Sequence, residues 1–384
     1  MKRLFLVLVV AQIIVGCNDK DNIVDPALFK RIEMTTIDTD SITIYLAGTG
    51  KFTVDWGDGS KNKTYQLFEN DSINWDYNNT KYKFSYNYSN TSLYTITIKC
   101  ENITHLHCGN FYNGPPIEFA QGLISLDVSD NTALTYLNCS FNKLTSLDVS
   151  NNTYLTYLNC EINEIISLDL SRNTFLTNLN CYANKLTNLD VGRNTLLTNL
   201  DCSYNKLTNL DISMNSELTN LTCVNNQLTN LDVSNNAKLT YLTCNNNQLT
   251  NLDVSINKVL LSLYCNGNQI SNLDLKMNSE LRSLRCRDNL ITNLDVSNNT
   301  SILELNCIGN QLRSLNVSNL VNLIWFYCEN NLLTELALNN LFETLHSNYK
   351  GMWIYIGGNP GAPDCDRSIA TNKGWIVKDF NPQF

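Results

Sequence analysis

Ten cysteines recur at intervals of 21 residues, and their thiols could bind a metal, form disulfides or fill a core. They are Cys139, Cys160, Cys181, Cys202, Cys223, Cys244, Cys265, Cys286, Cys307 and Cys328. Tetrathiolate metal sites need thiols that converge from several directions, whereas this spacing predicts a single file. The Cα atoms of neighbouring cysteines would lie near the separation found in disulfides. Their side chains would run parallel into the core, however, and parallel thiols do not point toward each other. We predict small buried apolar residues, with disulfides and a metal site as open alternatives.

Nine aspartates follow the same spacing, from Asp127 to Asp295, and could in principle bind Ca²⁺. Two carboxylates about 5 Å apart repel in water by a little under 1 kcal/mol, and the penalty grows when they are buried. The aspartates must therefore face solvent. We predict a hydrated ridge, and a row of weak Ca²⁺ sites is the alternative.

The sequence carries no sign of catalysis. It has no nucleophile elbow, no HExxH and no glycine loop that cradles phosphate, and it holds three histidines in 384 residues. A uniform row of exposed aspartates lacks the unequal environments that separate an acid from a base. The net charge of −9 argues against a nucleic-acid partner. We predict a protein that is not an enzyme and has no cofactor.

The elements that carry these residues follow from the period itself, because a strict 21-residue repeat means one structural unit stacked on copies of itself. One unit, Leu134 to Tyr154, reads LTYLNCSFNKLTSLDVSNNTY. Each half alternates apolar and polar residues and ends in an asparagine turn, which predicts an extended segment on both sides of every coil. One asparagine column runs unbroken from Asn142 to Asn331, and a second gives way to Leu320. Both are expected to satisfy backbone groups at tight corners.

The segment LxxLxCxxNxL resembles the leucine-rich repeat, and the 21-residue coil resembles its bacterial, internalin-like class. The resemblance covers Ile103 to about Leu338, roughly eleven coils. It implies that the first strand of each coil joins a parallel sheet on a concave face, the usual binding surface of such repeats.

Sequence variation within the repeat predicts the same face, because the second half-coil repeats LTNLDV while the first half varies at its outward positions. Exposed Tyr, Trp and Arg are residues that anchor interfaces, although tyrosine and threonine also simply suit exposed strands. The predicted ligand-binding residues are Tyr136, Tyr157, Tyr182, Tyr241, Tyr264, Arg282, Arg285, Arg287, Trp325 and Tyr327. His105 and His107 share the outward side of one strand, which leaves a zinc pair as an alternative; our expectation is that the chain binds no metal.

The amino terminus predicts export and anchoring. A basic start and an apolar run from Leu4 to Val15, too short to span a bilayer, are typical of a signal peptide. The small residue before Cys17 resembles the lipobox of bacterial lipoproteins, which implies lipidation of Cys17. Residues 1–17 are thus the predicted signal peptide and lipobox, and 18–34 a tether. The acidic residues after Cys17 resemble the export signal of lipoproteins on the surface of Gram-negative bacteria.

Two further units flank the repeats. Alternating strands and glycine turns over 35–100 predict a short β-unit, and the segments VDWGDGS from Val54 and YTITI from Tyr94 resemble a PKD-type, immunoglobulin-like sandwich. Its expected role is a spacer. Residues 339–384 are predicted as a small α/β cap, because a solenoid end exposes apolar columns and strand edges. Trp353, Trp375 and Phe380 are expected to cover the last coil.

Together these features predict a mainly β protein: a short PKD-like sandwich, a leucine-rich-repeat solenoid over 101–338 with strands on both sides of each coil, and the cap. The predicted function is non-enzymatic recognition of a protein, or adhesion, at the outer membrane or cell surface of a Gram-negative bacterium. Recognition of a glycan is the alternative. The chain is expected to be a monomer held to the membrane by its lipid alone.

Overall fold

The protein is a stack of coils joined to an antiparallel amino-terminal sheet. The structure, a computed structural model, describes residues 29–37, 39–67, 83–109, 122–349 and 351–380. The amino-terminal strands are β1 (Lys30–Thr36), β2 (Ser41–Asp55), β3 (Lys63–Leu67), β4 (Lys83–Asn87), β5 (Tyr94–His107) and β6 (Leu123–Asp127). The coil strands are β7 (Tyr136–Asn138), β8 (Tyr157–Asn159), β9 (Asn178–Asn180), β10 (Asn199–Asp201), β11 (Asn220–Thr222), β12 (Tyr241–Thr243), β13 (Ser262–Tyr264), β14 (Ser283–Arg285), β15 (Glu304–Asn306) and β16 (Trp325–Tyr327). Helix α1 (Glu335–Thr344), β17 (Met352–Tyr355), helix α2 (Ser368–Thr371) and β18 (Trp375–Lys378) follow.

Successive coil strands pair in parallel and in register, so the period of the sequence becomes a stack in space. Tyr136 of β7 lies beside Tyr157 of β8, and Leu137 beside Leu158. The middle residue of each strand points inward, and both of these leucines have no exposed surface. Burial of one leucine contributes roughly 1.5 to 3 kcal/mol, and each coil supplies several. The predicted solenoid is confirmed.

The cysteines lie in the core. All ten at the 21-residue spacing have no exposed surface, and every cysteine in the part of the chain that the structure describes is a free thiol. Burial raises the pKa of the Cys160 thiol to about 12, so the thiol stays protonated at neutral pH. These residues pack as small apolar groups.

The first asparagine column satisfies the backbone at the corner after each strand. The Nδ2 of Asn205 donates to Cys181 O at 3.0 Å and to Cys202 O at 3.1 Å. Its Oδ1 accepts from Leu186 N at 3.0 Å. One side chain therefore ties its own coil to the preceding one.

From Asn152 to Asn299, the second asparagine column acts only as a donor. The Nδ2 of Asn215 donates to Val191 O at 3.0 Å and to Asn194 O at 2.8 Å. Its Oδ1 is buried without a hydrogen-bond partner, as are the equivalent oxygens of seven other described members of the column. This difference explains why Leu320 can take the place of asparagine at the end of the second column, whereas the first is unbroken.

The second half-coils are not strands, and the prediction of strands on both sides of each coil is wrong from Leu144 onward. Neighbouring second half-coils share few backbone hydrogen bonds, such as the one from Lys185 N to Ile165 O at 2.9 Å, instead of a continuous ladder. Asp148 Oδ1 accepts from Ser150 N at 2.9 Å, and the same bond recurs at Asp169 and Asp211. The same bond is present at Asp127, the last residue of strand β6, so it closes the turn after an extended segment whether or not that segment is a strand. The Asp148 carboxylate is exposed, and this backbone hydrogen bond from Ser150 lowers its pKa.

The amino-terminal strands form one antiparallel sheet that continues into the solenoid. Strand β2 pairs with β3 and β4 on one side and with β5 on the other, and β1 lies between β5 and β6. Strand β5 runs unbroken across residue 100, and its last residues, His105 to His107, pair in parallel with β7. The core is continuous through this junction. The PKD-like sandwich and the boundary at residue 100 stay predictions, and the predicted signal peptide and lipobox lie outside the described residues.

The carboxy-terminal elements extend the stack. Helix α1 begins at the N-cap Thr334 and buries Leu338, Leu341 and Phe342, in place of a second half-coil. Strand β17 pairs in parallel with β16, and β18 pairs in parallel with β17. Trp375 is buried as expected, but Phe380 is 61% exposed and does not cover the last coil. Among the helices that the structure describes, none has the length and apolar character needed to cross a bilayer.

Candidate binding face

The outward side chains of the parallel strands form one surface, which we call the strand face. Each coil strand points its first and third residues outward and its middle residue into the core. A third outward position lies two residues beyond each strand. In-register pairing aligns these positions into three columns. The first runs from His105 through Tyr136 to Trp325 and Trp353, and the second from His107 through Asn138 to Tyr327 and Tyr355.

The predicted ligand-binding residues all lie on or beside the strand face, but they do not form one cluster. Trp325 is 43% exposed and Tyr241 46%. Arg282 is exposed, and the remaining predicted residues except Tyr327 are half-buried. Tyr327 is 8% exposed, so its ring supports its neighbours more than it meets solvent.

Four rings meet at the carboxy-terminal end of the face. The Trp325 and Trp353 rings lie 6.4 Å apart between centroids and 12° from parallel. The Tyr327 and Tyr355 rings lie 5.2 Å apart and 11° from parallel, and the Trp353 and Tyr355 rings are stacked at 6.1 Å. Ile308 packs with Tyr327 and Tyr355 in a buried apolar group separate from the main core. We call Trp325, Trp353, Tyr327 and Tyr355 the aromatic end.

Arg285 is held rigidly beside the aromatic end. Its Nε and Nη2 donate to the two carboxylate oxygens of Glu304 at 2.9 and 3.1 Å. Its guanidinium lies 4.8 Å from the centroid of the Tyr264 ring, and Ser283 Oγ donates to the same carboxylate at 2.9 Å. A bidentate Arg–carboxylate pair fixes geometry as well as adding energy. Burial alone would lower the pKa of Arg285, but Glu304 outweighs it and the pKa is raised.

The amino-terminal end of the face is a second, smaller aromatic group. The Tyr136 and Tyr157 rings stack at 4.4 Å and 5° from parallel, and the His105 ring lies 5.7 Å from Tyr136. His107 is fully buried and meets the Tyr45 ring edge-on. The expectation that His107 is exposed beside His105 is wrong, because strand β2 covers that end of the column. Among the described residues, no group of three or more His, Cys, Asp or Glu side chains could hold a metal ion.

Sequence reasoning missed Trp353 and Tyr355 as members of this face. Trp353 follows Trp325 by 28 residues rather than 21, and the period therefore gives no sign of it. The signal is local: WIYIGGN from Trp353 repeats the pattern of WFYCENN from Trp325. Asn359, at the end of that segment, continues the first asparagine column, since its Oδ1 accepts from Leu333 N at 3.2 Å and its Nδ2 donates to Cys328 O at 2.9 Å.

Comparison with solved structures identifies the family. The functional domain of InlJ from Listeria monocytogenes, described as including a cysteine ladder, is similar to this chain at 32% identity and a TM-score of 0.50, with 72% of each chain covered. The chain belongs to the internalin-like leucine-rich-repeat proteins. Like that domain, this internalin-like protein stacks cysteines along its coils.

Two more distant structures share the fold. The internalin InlF from Listeria monocytogenes is 24% identical with a TM-score of 0.55, over 73% of this chain and 87% of that one. A leucine-rich-repeat protein from Leptospira interrogans is 21% identical with a TM-score of 0.50, over 66% and 80%. No protein-family model and no curated protein matches the chain.

Proposed function

We propose that this internalin-like protein is a non-enzymatic binding protein that recognises another protein through the aromatic end of its strand face. The internalin-like solenoid suits a scaffold for protein interaction or adhesion. The observation that carries the proposal is the exposed Trp325 ring stacked on Trp353. Large aromatic side chains that combine a rigid base with an exposed surface are the common anchors of protein interfaces.

The rigid surroundings of these rings support the proposal. Tyr355 stacks on Trp353 and is itself stacked on Tyr327. Glu304, held by Arg285, is the strand neighbour of Trp325. Side chains that are already ordered lose little conformational entropy when a partner binds, which improves affinity. The polar Arg285 and Glu304 provide the rim that typically surrounds such anchors.

We further propose that the protein stands on the cell surface as a lipoprotein anchored at Cys17, with the amino-terminal sheet as a spacer. The apolar run before Cys17 and the small residue beside it support this proposal. Metabolic labelling with palmitate tests it directly. The full chain should incorporate the label, and Cys17→Ser should not; label on both proteins would contradict the anchor.

A pulldown with matched variants tests the proposed recognition. The double variant Trp325→Ser/Trp353→Ser removes the exposed Trp325 ring and the half-buried Trp353 ring stacked on it. The control, Tyr154→Ser/Phe175→Ser, removes a stacked pair of similar geometry, 6.0 Å and 12°, that lies outside the strand face and is at least as exposed. Tyr154, Phe175 and Trp325 are exposed, whereas Trp353 packs on the buried group of Ile308, Tyr327 and Tyr355, so thermal melting checks that each variant keeps the wild-type fold.

The wild-type protein should capture a partner protein from host or neighbouring microbial extracts. The control variant should still capture this partner, and the Trp variant should not. With the purified partner, loss of an anchor worth about 2 kcal/mol weakens binding about 30-fold. Equal affinity of all three proteins for every captured partner refutes recognition by the aromatic end. Binding that is instead lost on removal of glycans from the partner supports the glycan alternative.

A further inference from the structure

A polar depression lies at the edge of the strand face, one coil before the aromatic end. Its volume is about 280 Å³, and its lining consists of Asn245, Asn246, Asn266, Gly267, Arg285, Arg287, Asp288 and Asn306. That volume is at the low end of ligand pockets, which start at about 300 Å³. The depression therefore suits one small polar unit rather than an extended chain.

The depression exists because Gly267 has no side chain at the corner after β13. The corner residue of each coil has a positive φ, and other coils place Phe141, Ile162 or Tyr204 there. A methyl group added at Gly267 would come within 2.4 Å of Asn246 Oδ1, so the Asn246 side chain lies directly beside Gly267 in the depression.

Hydrogen bonds to the next coil orient two amide groups on the wall. Asn266 N donates to Asn245 Oδ1 at 2.8 Å, and Arg287 N donates to Asn266 Oδ1 at 2.8 Å. Each Oδ1 accepts a backbone N–H, which fixes the orientation of the amide and leaves its Nδ2 as the donor group of a residue that lines the depression. The two asparagines are thereby fixed as donors.

Charged groups complete the donor set. Arg285 has five N–H donors and uses two bonds to hold Glu304, so it can donate further. Arg287 Nε is held at 2.7 Å by Asp288 Oδ2. The lining therefore presents two guanidinium groups and one carboxylate, and Glu304 behind Arg285 balances the remaining charge.

We propose that this depression binds an acidic monosaccharide unit, a sugar that carries both a carboxylate and hydroxyl groups. Guanidinium groups match a carboxylate, whereas hydroxyls need donors and acceptors together, which the fixed amides and Asp288 supply. Arg285 lines the depression and also borders the aromatic end, but neither tryptophan lines the depression, so variants of the tryptophans and of the depression test the two proposals separately.

Calorimetric titration of the full chain with simple glycosides tests the proposal. The probes are methyl glucuronide and the methyl glycoside of N-acetylneuraminic acid, with methyl glucoside and N-acetylglutamate as the neutral and the non-sugar comparison. One variant is Arg287→Gln. Another is Asn245→Ser/Asn266→Ser, which keeps the backbone bonds because Ser203 Oγ accepts from Val224 N at 3.0 Å in the same column. Asn220→Ser, elsewhere on the strand face, is the control.

At least one acidic glycoside should bind the wild-type protein at least tenfold more tightly than methyl glucoside and N-acetylglutamate. Each depression variant should weaken that binding at least tenfold, and the control should stay within twofold. The proposal is overturned if neither acidic glycoside binds, if methyl glucoside binds equally well, or if the variants bind like wild type. N-acetylglutamate binding as tightly as the acidic glycosides overturns the assignment to a sugar and favours a peptide carboxylate.

Discussion

The two asparagine columns should contribute unequally to stability, and replacing one residue from each isolates the cause. In Asn205→Ala, the Leu186 N–H loses its hydrogen-bond acceptor and stays buried. The carbonyls that Asn205 also binds keep other donors: Asn184 on Cys181 O and Asn226 on Cys202 O. An orphaned buried N–H costs about 1 to 3 kcal/mol, and the two weakened carbonyls add to it. We expect a loss of about 3 kcal/mol.

Asn215→Ala leaves no buried backbone group without a hydrogen bond. Val191 O still accepts from Asn194 N, and Asn194 O still accepts from Leu197 N. The substitution also removes the buried Asn215 Oδ1, which has no partner and itself costs free energy. We expect a loss of no more than about 1 kcal/mol.

Urea unfolding of the two variants measures the difference, and hydrogen exchange locates it. The Leu186 amide should exchange faster in Asn205→Ala than in wild type, and at the wild-type rate in Asn215→Ala. Equal losses of stability, or a Leu186 amide that stays protected in Asn205→Ala, would falsify the account of the columns as unequal.

Three other predictions concern strain, protonation and redox state. Ile162 is a β-branched residue at φ 50°, a conformation that costs such residues free energy. Ile162→Asn should therefore raise the free energy of unfolding by about 1 kcal/mol, and Asn225→Ile should lower it by a similar amount. Urea unfolding measures both changes, and the opposite signs would refute backbone strain at this corner. Burial lowers the pKa of His107 to about 3. As the pH falls, this histidine is therefore protonated in the unfolded chain before it is protonated in the folded protein. Stability should fall by about 1.4 kcal/mol per pH unit from about pH 6 toward pH 3, and His107→Gln should flatten that slope. The ten core thiols should react with a thiol reagent only after denaturation. If most of the ten cysteines prove to be oxidised in denaturant, the core does not consist of free thiols.

The interior of the solenoid could be predicted from the sequence because every layer repeats the same constraints. The leucine, cysteine and first asparagine columns lie where the 21-residue period puts them. The second half-coil could not be predicted from the same alternation, since a strand and an extended segment share that pattern. Neighbouring second half-coils share few backbone hydrogen bonds, such as the one from Lys185 N to Ile165 O, and the alternation of residues does not determine how many of these bonds form.

The candidate site was less predictable for a related reason. The period locates outward positions, but it does not say which of them neighbouring elements cover. His107 is buried because Tyr45 of β2 lies against it, a contact between segments far apart in the chain. Trp353 joins the strand face because helix α1 and its following loop lengthen the last repeat while preserving the register of β17 on β16. Neither contact is encoded in the repeat itself.

The most direct test of the central claim is hydrogen–deuterium exchange of the protein with and without its captured partner. The account predicts new protection confined to β16 and β17, which carry Trp325 and Trp353, with unchanged exchange at the corner around Tyr154 and Phe175. Protection at that corner or along the second half-coils, with none at β16 and β17, would contradict recognition by the aromatic end of the strand face.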